Sequence, residues 1–407
     1  MKKNILWNAF GNIVYLFSQW LVTVLTARIA GYGDAGVLSL AMSISATFQT
    51  VALFGIRNFQ VSDINGKYPD RSYIGLRNIT CLTALALCLA FSLLNGYSSA
   101  TVAAIMWFML FRIAENYSDV LHGIFQKNDR IYIAGQSLFV KGILVLVSFL
   151  FGYYIFGSLN GGLAAMAVSS AAETVFFDLY RARRLSELCP YDDLKRCLSL
   201  AKETVPLCMY MLLNSMIATA PKYILEKMSS EELLGAYSSI FAPALLIQAA
   251  AQYIYMPFIS NFAILYQNKD IKGFLALAVR ILLIIFFLGS AVLAMSLVFG
   301  AWGLRLFFGE SIEQYSGLLP LIIAAAFCTA INAFLQCLSV VIRDFKALVI
   351  SCSAGFAVCC ASSFLLIDTM SADGASLGLI AGTVSGALYL AISILYNINR
   401  GKKEEHK

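Results

Sequence analysis

Polar residues in this chain come in short clusters, and long apolar runs separate them. A helix needs about 20 apolar residues to cross the hydrocarbon core of a bilayer. Runs of that kind recur at 5–29, 35–56, 77–96, 99–126, 132–157 and 160–180, and again at 203–227, 232–266, 273–300, 316–342, 346–367 and 374–397. The pattern predicts an all-α protein of about twelve transmembrane helices. The stretch 232–266 is too long for one crossing and contains Pro243 and Pro257, which predicts a bend or an extension past the membrane surface. The run behind Lys2-Lys3 continues to about Ile29 without a small-residue cleavage site, so it reads as a first span and not as a removed signal.

The spans fall into six and six. Residues 181–202, RARRLSELCPYDDLKRCLSLAK, form the longest charged stretch. This predicts an N-terminal six-helix lobe (1–180), a cytoplasmic linker (181–202), a C-terminal six-helix lobe (203–400) and a cytoplasmic tail (401–407). The halves share small features. A glycine opens the second helix of each (Gly36, Gly235), and a basic hairpin follows the fourth (126–130, 342–346). Six spans is an even number, so the lobes would be parallel repeats about a pseudo-two-fold axis along the membrane normal.

Composition narrows the class. The chain has 407 residues, 60% hydrophobic and 13% charged, with a mean hydropathy of +0.77. Soluble domains carry about 25% charged residues, so a soluble enzyme, a disordered chain and a secreted disulfide scaffold are disfavoured. Most of the 29 lysines and arginines fall on one side once the N-terminus is placed in the cytoplasm; the outer ends then hold only Arg28, Lys222, Lys227 and Arg305. A multi-pass protein of the cytoplasmic membrane with both termini on the cytoplasmic side is expected. The net charge of +6 follows from this bias and calls for no nucleic-acid partner. The ten cysteines, Cys189 among them, include no CxxC pair, and His122 and His406 are the only histidines, so neither a metal site nor another cofactor is expected.

The first span ends in Thr26-Ala27-Arg28 ahead of Asp34-Ala35-Gly36, and the fourth carries Arg112-Ile113-Ala114-Glu115-Asn116-Tyr117-Ser118-Asp119-Val120-Leu121-His122-Gly123. The turn 126–130 and Gly135-Gln136-Ser137 follow. With the 6+6 layout, these features resemble the polysaccharide-transporter branch of the multidrug/oligosaccharidyl-lipid/polysaccharide exporter superfamily, the O-antigen and capsule repeat-unit flippases of lipopolysaccharide and capsule biosynthesis. The lipid II flippases of the superfamily usually have two further spans, which this chain lacks. The resemblance implies a transporter and not an enzyme. Its cargo would be a polyprenyl-diphosphate-linked oligosaccharide moved by alternating access, driven by an ion gradient or the membrane potential. Implied partners are that cargo, a coupling proton or sodium ion, membrane lipids and a glycan polymerase of the same pathway.

Charges at membrane depth mark the candidate site, because each is costly there unless paired or wet. On the fourth span, Arg112, Glu115, Asp119, His122 and Gln126 are spaced 3, 4, 3 and 4, which puts them on one helical face. This face reads either as an intrahelical salt-bridge ladder or as a cavity stripe. Arg28, Arg112, Lys141, Lys222 and Arg280 are candidates for binding the diphosphate; Glu115, Asp119 and His122 are candidates for ion coupling. The blander readings are a structural pairing of Lys141 with Glu115 or Asp119, and snorkelling of Arg28, Lys222 and Arg280 to the head groups. Either of Glu173 and Asp178 could carry a proton; a pairing with Arg181 or Arg184 is the blander reading. A cation-coupled multidrug antiporter of the same fold is the alternative function, against which the cationic set argues. A glycan polymerase or acyltransferase is disfavoured, since no outer loop is long enough for a catalytic domain. No phosphate-binding loop suggests ATP hydrolysis.

Overall fold

The computed structural model describes residues 2–63, 67–188 and 193–405, so Cys189 and His406 lie outside the described residues. Among those described there is no strand, and the chain is an all-α integral membrane protein. The helices are α1 (Lys2–Ile29), α2 (Gly31–Leu53), α3 (Ile56–Ser62), α4 (Asp70–Leu94), α5 (Ser99–Lys127), α6 (Tyr132–Phe156) and α7 (Leu159–Glu173). α7 runs on through a π-helical turn (Thr174–Leu179) into α8 (Tyr180–Ala182). Then come α9 (Leu194–Met228), α10 (Glu231–Tyr255), α11 (Ile259–Gln267), α12 (Ile271–Phe308), α13 (Leu319–Val341), α14 (Phe345–Met370) and α15 (Ala372–Glu405). Each of the twelve apolar runs is helical. Nine of the described helices are long and apolar enough to cross a membrane, or ten with α9, whose parts Leu194–Val205 and Leu207–Met228 meet at 53°. α5 and α10, of 29 and 25 residues, hold the other two places in the pattern.

The chain forms two compact units, Met1–Ser215 and Met216–Lys407. The first part of α9 is held in unit 1 by specific contacts. Cys197 Sγ donates to Ser72 O at 3.8 Å, and Glu203 accepts from the Tyr68 hydroxyl at 2.9 Å and Lys67 Nζ at 2.6 Å. The division therefore falls inside a helix.

Within unit 1, α6 lies along both α1 and α7. A Cβ on Gly11 would stand 1.9 Å from the carbonyl oxygen of Gly135, so α1 and α6 meet backbone to backbone as small residues allow in a membrane. The second span breaks between α2 and α3, where Phe54 and Gly55 take left-handed φ values of 49° and 68°. Within unit 2, α14 lies along α15, and Phe262, Phe274, Phe334 and Tyr255 form an aromatic core. Leu283, Phe287, Leu297 and Val298 of α12 are exposed, as a lipid-facing surface requires.

One turn occurs three times. After α5, α11 and α13, the residues Asp129, Lys269 and Arg343 have φ of 55°, 54° and 60°. The amide of the next residue reaches back five positions in each case: Arg130 to Phe125, Asp270 to Leu265, and Asp344 to Ser339, at 2.8, 2.9 and 2.9 Å. This is the Schellman closure, which satisfies carbonyls left open at a helix end. The matched basic hairpins of the sequence, 126–130 and 342–346, are two of the three.

Candidate functional site

In unit 1, polar side chains that hydrocarbon would exclude converge where α5, α6 and α7 meet. α5 supplies Ser118 and His122, and α6 supplies Ser137 and Lys141. Ser170 and Glu173 come from α7, and Thr174 and Asp178 from the π turn; all eight are buried. On α5 and α6 the two residues are four apart, one above the other on a single face. The π turn matters for the third wall. Its i→i+5 bonding brings Asp178 round towards the side of Glu173, five residues earlier, whereas an α-helix would turn it away.

The groups pair with one another only in part, and the Ser170 hydroxyl donates to none of them. Lys141 Nζ is 3.0 Å from Glu173 Oε2 and donates to Thr174 Oγ1 at 3.1 Å and to the Ser118 hydroxyl. His122 Nε2 is 3.1 Å from Ser137 Oγ and 3.4 Å from Asp178 Oδ1. Lys141, Glu173 and Asp178 have side-chain exposures of 1, 1 and 0%, so each charge depends on its partner. Two acids stand against one lysine and one histidine. The set is electrically balanced when it holds one proton beyond the lysine's own.

Asp119 belongs to a second cluster. It is 2.8 Å from Arg77 and 3.4 Å from Arg57. Arg77 is fully buried and also donates to Ala52 O, near the end of α2, while Arg57 donates to Gln126 Oε1 at 3.1 Å. Arg77 thus ties the open carbonyl end of α2 to α5. Arg112 and Glu115 make a third group, an i,i+3 pair at 2.6 Å, with the guanidinium over Phe108 and Phe111 at 5.0 and 5.5 Å from the ring centres.

The fourth-span stripe is thus three sites and not one ladder: an intrahelical pair, a link to α3 and α4, and a link to α6 and the π turn. Among the candidates the structure brings together Lys141 and His122 in one buried cluster, and Arg112 with Glu115 in another place. Arg28 is exposed at the end of α1, and Arg280 is exposed on α12. Lys222 on α9 lies over the Phe241 ring at 5.0 Å. Two expected pairings are replaced. Lys141 pairs with Glu173, not with Glu115 or Asp119. Glu173 and Asp178 pair with Lys141 and His122, and not with Arg181 or Arg184. The arginines follow α8 outwards, whereas the two acids turn to the interior on the other side of the same helix. The sequence singled out His122 and Lys141, but neither Ser118 nor Ser137 as part of a site. It gave no sign of the π turn, which has no composition of its own.

No family profile matches the chain. A curated relative, the capsular polysaccharide biosynthesis protein CapF of Staphylococcus aureus, is 24% identical over 313 residues, 76% of this chain and 78% of that protein. Among solved structures, an inward-facing multidrug resistance MATE family transporter of the MOP superfamily superposes with a TM-score of 0.75 at 14% identity, covering 98% of this chain and 99% of that one. The lipid II flippase MurJ, in an inward closed conformation, superposes with a TM-score of 0.76 at 15% identity, covering 97% and 87%. These neighbours are transporters and a flippase, not enzymes. The chain has the fold of this exporter superfamily, and its resemblance to the polysaccharide-transporter branch stands.

Proposed function

We propose that the protein is a flippase of the cytoplasmic membrane for polyprenyl-diphosphate-linked oligosaccharide units, working by alternating access with both termini cytoplasmic. One observation carries the choice of cargo. Among the described residues Arg28 and Lys222 have no acidic partner and remain for an anion, whereas Arg280 shares the exposed face of Leu283 and Phe287 and is left to the head groups. A diphosphate leaving water needs fixed cations and hydrogen-bond donors to offset its desolvation. An organic-cation cargo, the alternative, would instead be repelled by them. The capsule relative supports the same choice.

Coupling is assigned to the Lys141–Glu173–His122–Asp178 cluster, because one proton decides its charge balance. Asp119, held by two guanidiniums, has a structural part. The test is flipping of a fluorescent polyprenyl-diphosphate oligosaccharide in proteoliposomes, with and without an imposed pH gradient. The expected result is transport that the gradient accelerates, reduced at least tenfold in the Arg28→Gln, Lys222→Gln double variant and little changed in Arg280→Gln. Transport of organic cations with no flipping of the diphosphate would overturn the reading in favour of the antiporter. Flipping that ignores the proton gradient would remove the coupling assignment alone.

A further inference from the structure

A cavity of about 340 Å³ opens in unit 1 where the α5–α6 turn faces α8. Its walls bring together three arginines, Arg130, Arg181 and Arg184, with Gln136 and Tyr132, and no acidic residue lines it. Three like charges around one small space repel each other, so the arrangement is unfavourable when empty and gains from an anion. Of the acids nearest in sequence, Asp129 precedes Arg130 but does not line the cavity, and the other two belong elsewhere. Asp178 faces His122 at 3.4 Å, and Glu187 lines a separate cavity beside Asp70 and Arg71.

Two of the three guanidiniums are held in place. Arg181 donates to Gln136 Oε1 at 2.8 Å and stacks on the Phe177 ring, 3.9 Å from its centre. Arg184 lies over the Tyr180 ring at 4.5 Å and donates to that residue's hydroxyl. Stacking uses the faces of a guanidinium and leaves most of its five N–H donors at the rim, which suits the oxygens of a phosphate. Depth identifies the source. Arg181 and Arg184 stand at and just past the end of the span Leu159–Ala182, and Arg130 lies in the turn before the span Tyr132–Phe156. Tyr132 and Tyr180 lie at that same level, where aromatic residues of membrane proteins meet the head groups. The cavity is therefore at head-group depth and open to a ligand that is already in the bilayer.

We infer that Arg130, Arg181 and Arg184 form a binding site for the phosphate of a membrane lipid head group. This site is separate from the buried cluster and does not depend on the transport reading. Such a lipid would clamp the start of α6 to α8.

The test is native mass spectrometry of the full-length protein titrated with phosphatidylglycerol, with geranylgeranyl diphosphate as an isoprenoid diphosphate probe, and with inorganic phosphate. Wild type is expected to retain a lipid at concentrations about tenfold below those needed by Arg130→Gln/Arg181→Gln/Arg184→Gln, while a triple lysine variant keeps most of the affinity. Tighter retention of the diphosphate identifies the isoprenoid carrier as the lipid; tighter retention of phosphatidylglycerol identifies the bulk anionic lipid. Equal lipid binding by wild type and the glutamine variant overturns the site. Binding of inorganic phosphate in preference to both lipids overturns the lipid assignment. If the triple glutamine variant does not fold, the exposed Arg130→Gln and Arg184→Gln single variants carry the comparison, and unchanged retention in both overturns the proposal.

Discussion

Lys141 shows how much one residue depends on its surroundings in this protein. Its ammonium has 1% exposure and is acceptable there only because Glu173, Thr174 and Ser118 surround it. Removing one member of a buried ion pair typically costs about 3–5 kcal/mol, because the partner's charge stays behind. Lys141→Met should therefore lower the thermal unfolding midpoint in detergent sharply, and Glu173→Gln added to it should recover most of the loss. A double variant no more stable than Lys141→Met would show that the pair is not the stabilising unit. A different residue gives a pH-dependent prediction outside the membrane. Asp63, after α3, accepts the amides of Lys67 and Tyr68 at 2.9 and 3.0 Å and the Tyr73 hydroxyl at 2.9 Å. Burial pushes its carboxyl up, but these donors outweigh it and hold the group below the ordinary carboxylate range. A lowered folded-state value means that its stabilisation is complete above the unfolded value, near pH 4, and disappears as pH falls through the folded one. Asp63→Asn should thus be less stable than wild type by about 1–2 kcal/mol at pH 7, with the gap narrowing as pH falls below about 4. A gap that stays constant from pH 7 to pH 3 would contradict this account. The sequence marks Lys141 as a charge at membrane depth but does not name its partner, since pairing depends on which helices touch. Asp63 has no sequence signal at all: its donors arrive only when the chain turns back on itself.

Two local devices decide which way the side chains of the elements point. The first is the Schellman turn at Asp129, Lys269 and Arg343, where an L-residue occupies the left-handed region. That conformation costs a non-glycine residue about 1–2 kcal/mol, partly offset by glycine's greater freedom when unfolded. Arg343 is exposed, and its backbone closes the end of α13. Arg343→Gly should raise the unfolding midpoint by an amount equivalent to about 0.5–1 kcal/mol. A lowered midpoint would mean that the arginine side chain contributes more than its backbone strain costs. The second device is the π turn, one residue more than an α-helix needs over the same path. Phe176 lies within it and is 78% exposed. Deleting Phe176 converts the turn to α geometry and leaves the aspartate four residues after Glu173, still on its side of the helix. The deletion should be tolerated, with an unfolding midpoint no lower than the parent's and the His122–Asp178 contact kept. Loss of folded protein would show that the bulge is required for packing. Hydrophobic period finds helices well and turns poorly. Two of the three turns, the basic hairpins 126–130 and 342–346, were legible because charge interrupts the apolar runs, while the π turn sits inside an unbroken run, Thr174-Val175-Phe176-Phe177-Asp178-Leu179, that reads as ordinary helix.

At the scale of the whole molecule, hydropathy decides almost everything the sequence reveals. Water is absent from the hydrocarbon core, so backbone groups must bond internally and each apolar run becomes a helix. That is why all twelve runs are helical, and why α5, with Arg112, Glu115 and Asp119 along it, is still a helix of 29 residues. The charged loops carry a second kind of information, orientation, through the distribution of lysine and arginine. With the N-terminus inside, the turn between α5 and α6 and the turn between α11 and α12 are both expected in the cytoplasm, and the starts of α5 and α7 outside. In a variant lacking the ten native cysteines, single cysteines at Ser99 and Asn160 should react in intact cells with a membrane-impermeant maleimide. Cysteines at the exposed positions Asn128 and Asn268 should react only after the membrane is opened. The four sites alternate along the chain, so a single missing or extra span before Asn268 would put at least one of them on the wrong side. Labelling of Asn128Cys and Asn268Cys in intact cells, with Ser99Cys and Asn160Cys protected, would invert the orientation and place the Arg130–Arg181–Arg184 cavity at the outer leaflet. Labelling of all four from one side would require a different span count, and with it a different division of the cations between lipid anchoring and cargo.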